Sequence, residues 1–170
     1  MKLGTVLIGD QTKYGIFVGS VFHSANTTIS EKFPTLQSLI AESSKGLELI
    51  DSFFNGPQFN ISDIKYLPPI PNSNKLICVG LNYDKIYPVE GESPPKPQNI
   101  MLFGKEQSSI VAHNQDLGVP LGKAALSFDY EGEIAVIIGK KGQNITPSDA
   151  HEHIFGYSVF NDGSVREWQK

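Results

Sequence analysis

The stretch SFDYEGEIAVIIGKK, residues 127–141, joins a row of acids to an apolar run. Asp129, Glu131 and Glu133 occupy alternate positions, and five apolar residues follow at 134–138. Because side chains of a β-strand alternate between its two faces, the three acids are predicted to share one face of a strand over 127–139. Ionised carboxylates crowded on a partly buried face are costly unless a counter-charge accompanies them.

The row of acids has two interpretations. Glu131 and Glu133 are either solvated residues at the mouth of a strand, where charge discourages edge-to-edge pairing, or ligands of a hard divalent cation. The E-x-E pattern alone favours the first, since such short matches are common. Asp162, at the end of a second predicted strand over 154–161, is by itself an ordinary turn residue. Together with the two glutamates it makes an all-oxygen metal triad plausible.

Composition limits the class of protein. The chain has 170 residues and a net charge of −4, which argues against a nucleic-acid partner. No stretch approaches the roughly 20 apolar residues that cross a bilayer, so no membrane partner is expected. The single cysteine, Cys78, lies in an apolar run and is interpreted as a reduced, packed thiol. We therefore expect a cytoplasmic protein.

The pattern of elements predicts a β-rich α+β fold in two parts. The segment LPPIPNSNK at 67–75 is the predicted boundary, since its prolines disfavour regular structure. It separates a small N-terminal α+β domain (1–68) from a second domain (72–170). Further predicted elements are a hairpin over 3–8 and 14–22, a helix over 35–54 capped by Thr35 and broken near Gly46, strands at 75–79 and 100–103, a helix start at Thr146, and a capping box of Ser164 with Glu167.

Four segments in order resemble the fumarylacetoacetate hydrolase family of metal-dependent enzymes. They are KLICVGLNY (75–83), MLFGKEQSSIV (101–111), DYEGEIAVIIGKKGQNI (129–145) and GYSVFNDGSVREWQ (156–169). The resemblance covers the chain from about residue 75 onward. It implies a catalytic domain of mixed β-sheet and β-roll type, and the N-terminal part fits the small variable domain that many members carry.

The resemblance also implies roles for individual residues. It assigns Glu131, Glu133 and Asp162 as ligands of Mg²⁺ or Mn²⁺, with Ca²⁺ a substitute in vitro. Catalytic roles fall to Lys105, Arg166 and Gln169, and substrate contacts to Asn82, Tyr83 and Gln169. The implied substrates are small 2-oxo or 1,3-dioxo acids, processed through a metal-stabilised enolate by C–C hydrolysis, isomerisation or decarboxylation. A homodimer is implied as well.

Two departures keep other interpretations open. Ile86 stands where many hydrolytic members have a histidine, and Glu90 lies one place beyond the expected glutamate. Isoleucine cannot transfer a proton, which favours isomerisation, tautomerisation or decarboxylation over hydrolysis. The sequence also stops at Lys170, before segments that the family carries further on, so the second domain is expected to be incomplete at its C-terminus. The alternatives are a catalytically inactive fragment or interaction module of the same fold and, less favoured, a β-rich binding domain without metal.

Overall fold

The computed structural model describes residues 1–42, 48–82, 95 and 97–169 of the chain. The fold is mostly β with few helices, so the predicted β-rich α+β class is confirmed. The α-helices are α1 (Thr27–Lys32) and α2 (Leu36–Ala41). The strands are β1 (Lys2–Ile8), β2 (Gln11–Val18), β3 (Val21–Ser24), β4 (Gln58–Asn60), β5 (Lys65–Tyr66), β6 (Ile77–Gly80), β7 (Met101–Gly104), β8 (Phe128–Asp129), β9 (Gly132–Ile138), β10 (Ile154–Asn161) and β11 (Ser164–Val165).

The N-terminal part is a five-stranded antiparallel sheet in the order β4-β3-β2-β1-β5. The predicted hairpin is present, but the single strand expected over 14–22 is wrong. A turn at Gly19, where φ is +57°, divides it into β2 and β3. Gly9, at φ +56°, opens the preceding turn. Each of the two turns is a two-residue loop whose first residue is glycine. Residues with a Cβ adopt this positive φ only at an energetic cost.

The helices differ from the prediction in extent. Thr35 caps α2 with a reciprocal capping box to Ser38, as its sequence position indicates. The helix ends at Ala41, however, and a 3₁₀ helix at Ile50–Asn55 covers the end of the predicted range. The predicted break near Gly46 lies outside the described residues. The unpredicted α1 is capped by Asn26, whose side chain accepts a hydrogen bond from the Ile29 N–H group.

The main core lies between the sheet and these helices. Its buried members have apolar or aromatic side chains and come from β2, α1 and the residues that flank it, α2 and the 3₁₀ helix. They are Tyr14, Ile16, Ala25, Ile29, Phe33, Leu36, Leu39, Ile40 and Phe53. Ile137 of β9 and Phe155 of β10 pack against this cluster. The two halves of the chain therefore share apolar contacts, and one face of β9–β10 is directed to the core.

Three two-stranded ladders form the rest: β6–β7, β8–β11 and β9–β10. The strand predicted over 127–139 is two strands, because Tyr130 and Glu131 lie between β8 and β9. The face of β9–β10 that turns away from the core exposes five apolar side chains, namely those of Ile134, Val136, Ile138, Tyr157 and Val159. Among the described residues, no helix is long and apolar enough to cross a membrane.

Two predicted helix signals are used differently. Thr146 Oγ1 donates to Asp149 Oδ2 at 2.7 Å, and only a 3₁₀ helix at Ala150–His153 follows. The capping box of Ser164 with Glu167 is wrong. Ser164 lies in β11 and donates to the Asp162 carbonyl oxygen at 2.9 Å, while the Glu167 N–H group donates to Ser127 Oγ at 3.2 Å.

The proline-rich segment follows the N-terminal sheet. Leu67 N donates to the Thr5 carbonyl oxygen at 3.0 Å, and Thr5 Oγ1 donates to the Pro69 carbonyl oxygen at 2.6 Å. These bonds satisfy polar groups of the buried Thr5, so the start of the segment continues along β1. The boundary between domains at 1–68 and 72–170 stays a prediction.

Replacing Tyr14 by Phe should lower stability at neutral pH by about 1 kcal/mol, the usual net value of one hydrogen bond. Tyr14 is 4% exposed and its hydroxyl donates to the Phe33 carbonyl oxygen at 2.5 Å. Burial raises the pKa of Tyr14 from 10.0 to about 12. Because the native state then holds a proton that the unfolded state loses, wild-type stability falls as pH rises from 10 toward 12.

Urea unfolding of the wild type and the Tyr14→Phe variant at pH 7 and at alkaline pH measures both effects. The stability difference between the two proteins should shrink at alkaline pH, since the variant has no phenol to titrate. A difference that grows with pH would contradict the assignment.

Candidate active site

The site centres on Asp162, a carboxylate at the end of β10 that is only 7% exposed. Its N–H group donates to the Glu131 carbonyl oxygen at 2.8 Å. This bond extends the β9–β10 ladder by one rung beyond the Asn161–Gly132 pair. Since opposed residues of an antiparallel pair direct their side chains to one face, Glu131 and Asp162 are neighbours on the same side.

Glu133 lies on that same side, two residues along the chain from Glu131 and opposite Phe160. Burial raises the pKa of the Glu133 carboxyl group above its usual value, and the charges of Glu131 and Asp162 raise it further. The three acids that the sequence predicts as a group therefore influence one another electrostatically. Negative charge is concentrated on this part of the face.

Lys105 supplies positive charge from a different ladder. Its N–H group donates to the Leu76 carbonyl oxygen at 3.0 Å, which extends the β6–β7 pairing by one residue. From there its ammonium group forms an ion pair with Asp162 Oδ1. The Lys105 side chain is 22% exposed and that of Asp162 10% exposed, so the pair is partly screened from water.

Arg166 supplies the second positive charge and is more firmly held. Its Nε and Nη2 atoms donate to Asp129 Oδ2 at 3.1 and 3.0 Å, and Nη1 lies 3.0 Å from Glu131 Oε1. Burial lowers the pKa of Arg166, but hydrogen bonds and charge attraction to Asp129 and Glu131 outweigh burial and leave the pKa above its usual value. The guanidinium group thus bridges two carboxylates with its planar fork.

Gln169 completes this network on the 3₁₀ helix Arg166–Gln169. Its Nε2 atom donates to Glu131 Oε1 at 3.2 Å, and its Oε1 atom accepts from Arg166 Nη1 at 3.1 Å. Arg166 and Gln169 are three residues apart, so one turn of the helix directs both toward Glu131. The structure therefore brings these two predicted catalytic residues together with a predicted metal ligand.

The oxygen-only donors Glu131, Glu133 and Asp162 have the chemistry that a hard divalent cation selects. Within the part of the chain that the structure describes, however, no three His, Cys, Asp or Glu side chains lie close enough together to hold one metal ion. Glu131 is engaged by Arg166 and Gln169, and Asp162 is engaged by Lys105. The ligand assignment stays a prediction.

Of the predicted substrate-contacting residues Asn82 and Tyr83, the structure describes only Asn82. Asn82 is exposed and directly follows Leu81, whose φ of 51° lies in the left-handed region that leucine rarely adopts. Strain of this kind is common next to binding sites. Tyr83, Ile86 and Glu90 lie outside the described residues.

Two participants were not assigned from the sequence. Asp129 was placed in the row of acids, yet its role as the anchor of Arg166 depends on a residue 37 positions away. Cys78 of β6 was interpreted only as a packed thiol. Burial raises the pKa of the Cys78 thiol and Asp162 raises it further, while Lys105 lowers it, so the thiol lies within electrostatic range of the acids. Strand alternation over 75–79 could have indicated this proximity, since it puts Cys78 on the same face as Leu76, the residue that pairs with Lys105.

A mostly β scaffold brings one buried acid, Asp162, and the cationic side chains of Lys105 and Arg166 together near strand ends, which defines a charged site. The profile described as the fumarylacetoacetate (FAA) hydrolase C-terminal domain matches residues 75–170. The chain belongs to the fumarylacetoacetate hydrolase family, as the four sequence segments indicate.

One curated relative is the mitochondrial oxaloacetate tautomerase fahd2 of Xenopus laevis, which is 40% identical over 108 residues. That match covers 64% of this chain and 33% of the relative, so the chain spans about a third of the relative's length.

Two solved structures share the fold over nearly the whole chain. The fumarylacetoacetate hydrolase of the psychrophile Exiguobacterium antarcticum has a TM-score of 0.70 at 27% identity, covering 99% of this chain and 58% of that one. Maleylpyruvate hydrolase of Sphingobium sp. SYK-6, solved with manganese(II) and pyruvate, has a TM-score of 0.69 at 21% identity, covering 98% of this chain and 60% of that one.

Replacing Asp129 by Asn should destabilise the protein by about 1 kcal/mol, because the group that accepts two hydrogen bonds from Arg166 loses its negative charge. The effect is no larger because the Asp129 carboxylate is partly exposed to water. Urea unfolding measures the effect. Asp116→Asn is the matched control, since Asp116 is exposed. Equal stabilities of the two variants would show that the contact contributes nothing to the fold.

Proposed function

We propose that the chain uses Glu131, Glu133 and Asp162 to hold Mg²⁺ or Mn²⁺ in an enzyme that acts on small 2-oxo or 1,3-dioxo acids. The observation that carries the proposal is the buried Asp162, which lies opposite Glu131 and pairs with Lys105, while Arg166 pairs with Glu131. Family membership and the manganese and pyruvate in the Sphingobium structure support it. Ca²⁺ is the expected substitute in vitro.

The positive side chains fit an anionic substrate. A divalent cation, when bound, would withdraw electrons from the oxo group and ease proton loss or C–C cleavage beside it. Arg166 and Gln169 present N–H donors around Glu131, where they can orient a carboxylate or an oxo oxygen. Asp129 fixes the plane of the Arg166 guanidinium group, whose Nη1 atom is directed to Glu131 and Gln169. Lys105 adds a second, more flexible positive charge.

Among the possible reactions we propose keto–enol tautomerisation of oxaloacetate as the first to test. The Xenopus relative carries that activity in its name. Ile86 supports the choice, because a tautomerase moves a proton within its substrate and does not require a histidine to activate water at that position. Hydrolysis and decarboxylation remain the other outcomes of the assay.

A second candidate is a non-catalytic module of the same fold, which Ile86 favours. Homodimer formation and cytoplasmic location also stay predictions, and the Xenopus relative is named as mitochondrial. Light scattering coupled to size exclusion would measure the oligomeric state, and a mass of 18.6 kDa would contradict the dimer.

Calorimetric titration with MnCl₂ tests the ligands. Wild-type protein should bind one Mn²⁺ per chain, and Glu131→Gln and Asp162→Asn should each weaken binding by more than about tenfold, which is the loss expected even for outer-shell partners. Asp116→Asn, which changes an exposed acid, should bind like the wild type. Unchanged affinity in the Asp162→Asn variant would exclude this residue as a ligand.

The decay of enol-oxaloacetate absorbance in the presence of Mn²⁺ tests the reaction. Wild-type protein should accelerate the decay above the buffer rate, and Gln169→Ala should reduce kcat by about tenfold or more, because one oriented donor is lost. A protein that binds Mn²⁺ but turns over neither oxaloacetate nor acylpyruvates would support the non-catalytic module.

A further inference from the structure

The ammonium group of Lys105 forms an ion pair with the proposed metal ligand Asp162. Its Nζ atom meets Asp162 Oδ1, on a carboxylate that is 7% exposed. A buried carboxylate without a counter-charge is strongly disfavoured, so this pair stabilises the fold around the end of β10. Asp162 is also one of the three residues that would hold a divalent cation under the proposed function.

The two cationic side chains of the site differ in how they are held. Arg166 donates to Asp129 through two atoms and to Glu131 through a third, which fixes its plane. Lys105 reaches Asp162 through a four-carbon stem with freely rotating bonds, and its backbone is anchored to Leu76 in the β6–β7 ladder. Lys105 can therefore withdraw its charge by rotamer changes alone, whereas Arg166 would have to break several bonds.

On the basis of the proposed function, we propose that Lys105 is a displaceable counter-ion of Asp162. A divalent cation that binds Asp162 competes with the ammonium group for Oδ1 and repels it, since both are positive. The released ammonium then becomes available to the carboxylate of an oxo acid. Lys105 thus lowers the affinity of the protein for the divalent cation. It also makes binding of the oxo-acid carboxylate depend on prior binding of the cation.

The charge-removing variant Lys105→Met tests the competition, with Lys105→Arg as the matched control that keeps the charge. In calorimetric titrations with MnCl₂, Lys105→Met should bind Mn²⁺ about tenfold more tightly than wild type, and Lys105→Arg should not bind more tightly. In EDTA, Lys105→Met should melt at a lower temperature than wild type, because Asp162 loses its counter-charge. Mn²⁺ should raise the melting temperature of this variant by more than it raises that of the wild type.

Pyruvate titration tests the release step. With saturating Mn²⁺, Lys105→Met should bind pyruvate about tenfold more weakly than wild type, while in EDTA the two proteins should not differ. If Lys105→Met does not fold, Lys105→Gln replaces it, since glutamine keeps a polar partner for Asp162.

The outcomes separate this inference from the proposed function. Wild type that binds Mn²⁺ with the same affinity as Lys105→Met overturns the competition and leaves the metal site intact. Equal pyruvate affinities in the presence of Mn²⁺ overturn the release. Failure of both wild type and Lys105→Met to bind Mn²⁺ overturns the metal site and the inference together.

Discussion

The charge of Asp162 is the constraint on which the site depends. A carboxylate that is 7% exposed must have a partner, and the chain provides the ammonium group of Lys105 from the β6–β7 ladder. The Asp162 backbone is held separately, by its N–H bond to the Glu131 carbonyl oxygen. Its position at the end of β10 means that the β9–β10 pairing fixes it on one side. The ion pair then ties the β6–β7 ladder to this point, so the charge that serves the site also joins two parts of the structure.

The ion pair of Arg166 with Glu131 stabilises a different part of the site. Glu131 lies outside the regular strands, between β8 and β9. Arg166 and Gln169 donate to its side chain, and the Asn161 side chain accepts from its N–H group at 3.1 Å. Because Asp129 holds Arg166 in turn, this short break in the strand is stabilised by four polar neighbours. The alternation that appears continuous in the sequence is thus interrupted at the residue that the site uses most.

The sequence predicted what depends on local pattern. The apolar run over 134–138 and the apolar and aromatic residues over 154–161 identified β9 and β10. Thr35 marked the start of α2 because a cap is a contact within one turn. Strand periodicity placed Glu131 and Glu133 on one face, and Asp162 was added because it follows the end of another predicted strand. The charges of Glu131 and Asp162 raise the pKa of the Glu133 carboxyl group in addition to burial. The anchoring of Arg166 by Asp129 could not be predicted, because it joins residues 37 positions apart through a guanidinium orientation that no periodicity encodes. The division of the 14–22 strand at Gly19 was missed because an isolated glycine in an apolar run is also compatible with a continuous strand.

The chemical difference between arginine and lysine explains why the site contains one of each. A planar guanidinium held at three points is suited to constant positioning of an anion, whereas an ammonium on a flexible stem is suited to exchange between partners. Two arginines would fix every charge and leave the carboxylates of Glu131 and Asp162 permanently neutralised. Two lysines would leave Glu131 without an oriented donor. A site that has to admit a cation to its acids and then orient an anionic ligand needs one residue of each kind, and Arg166 at Glu131 with Lys105 at Asp162 meets that requirement.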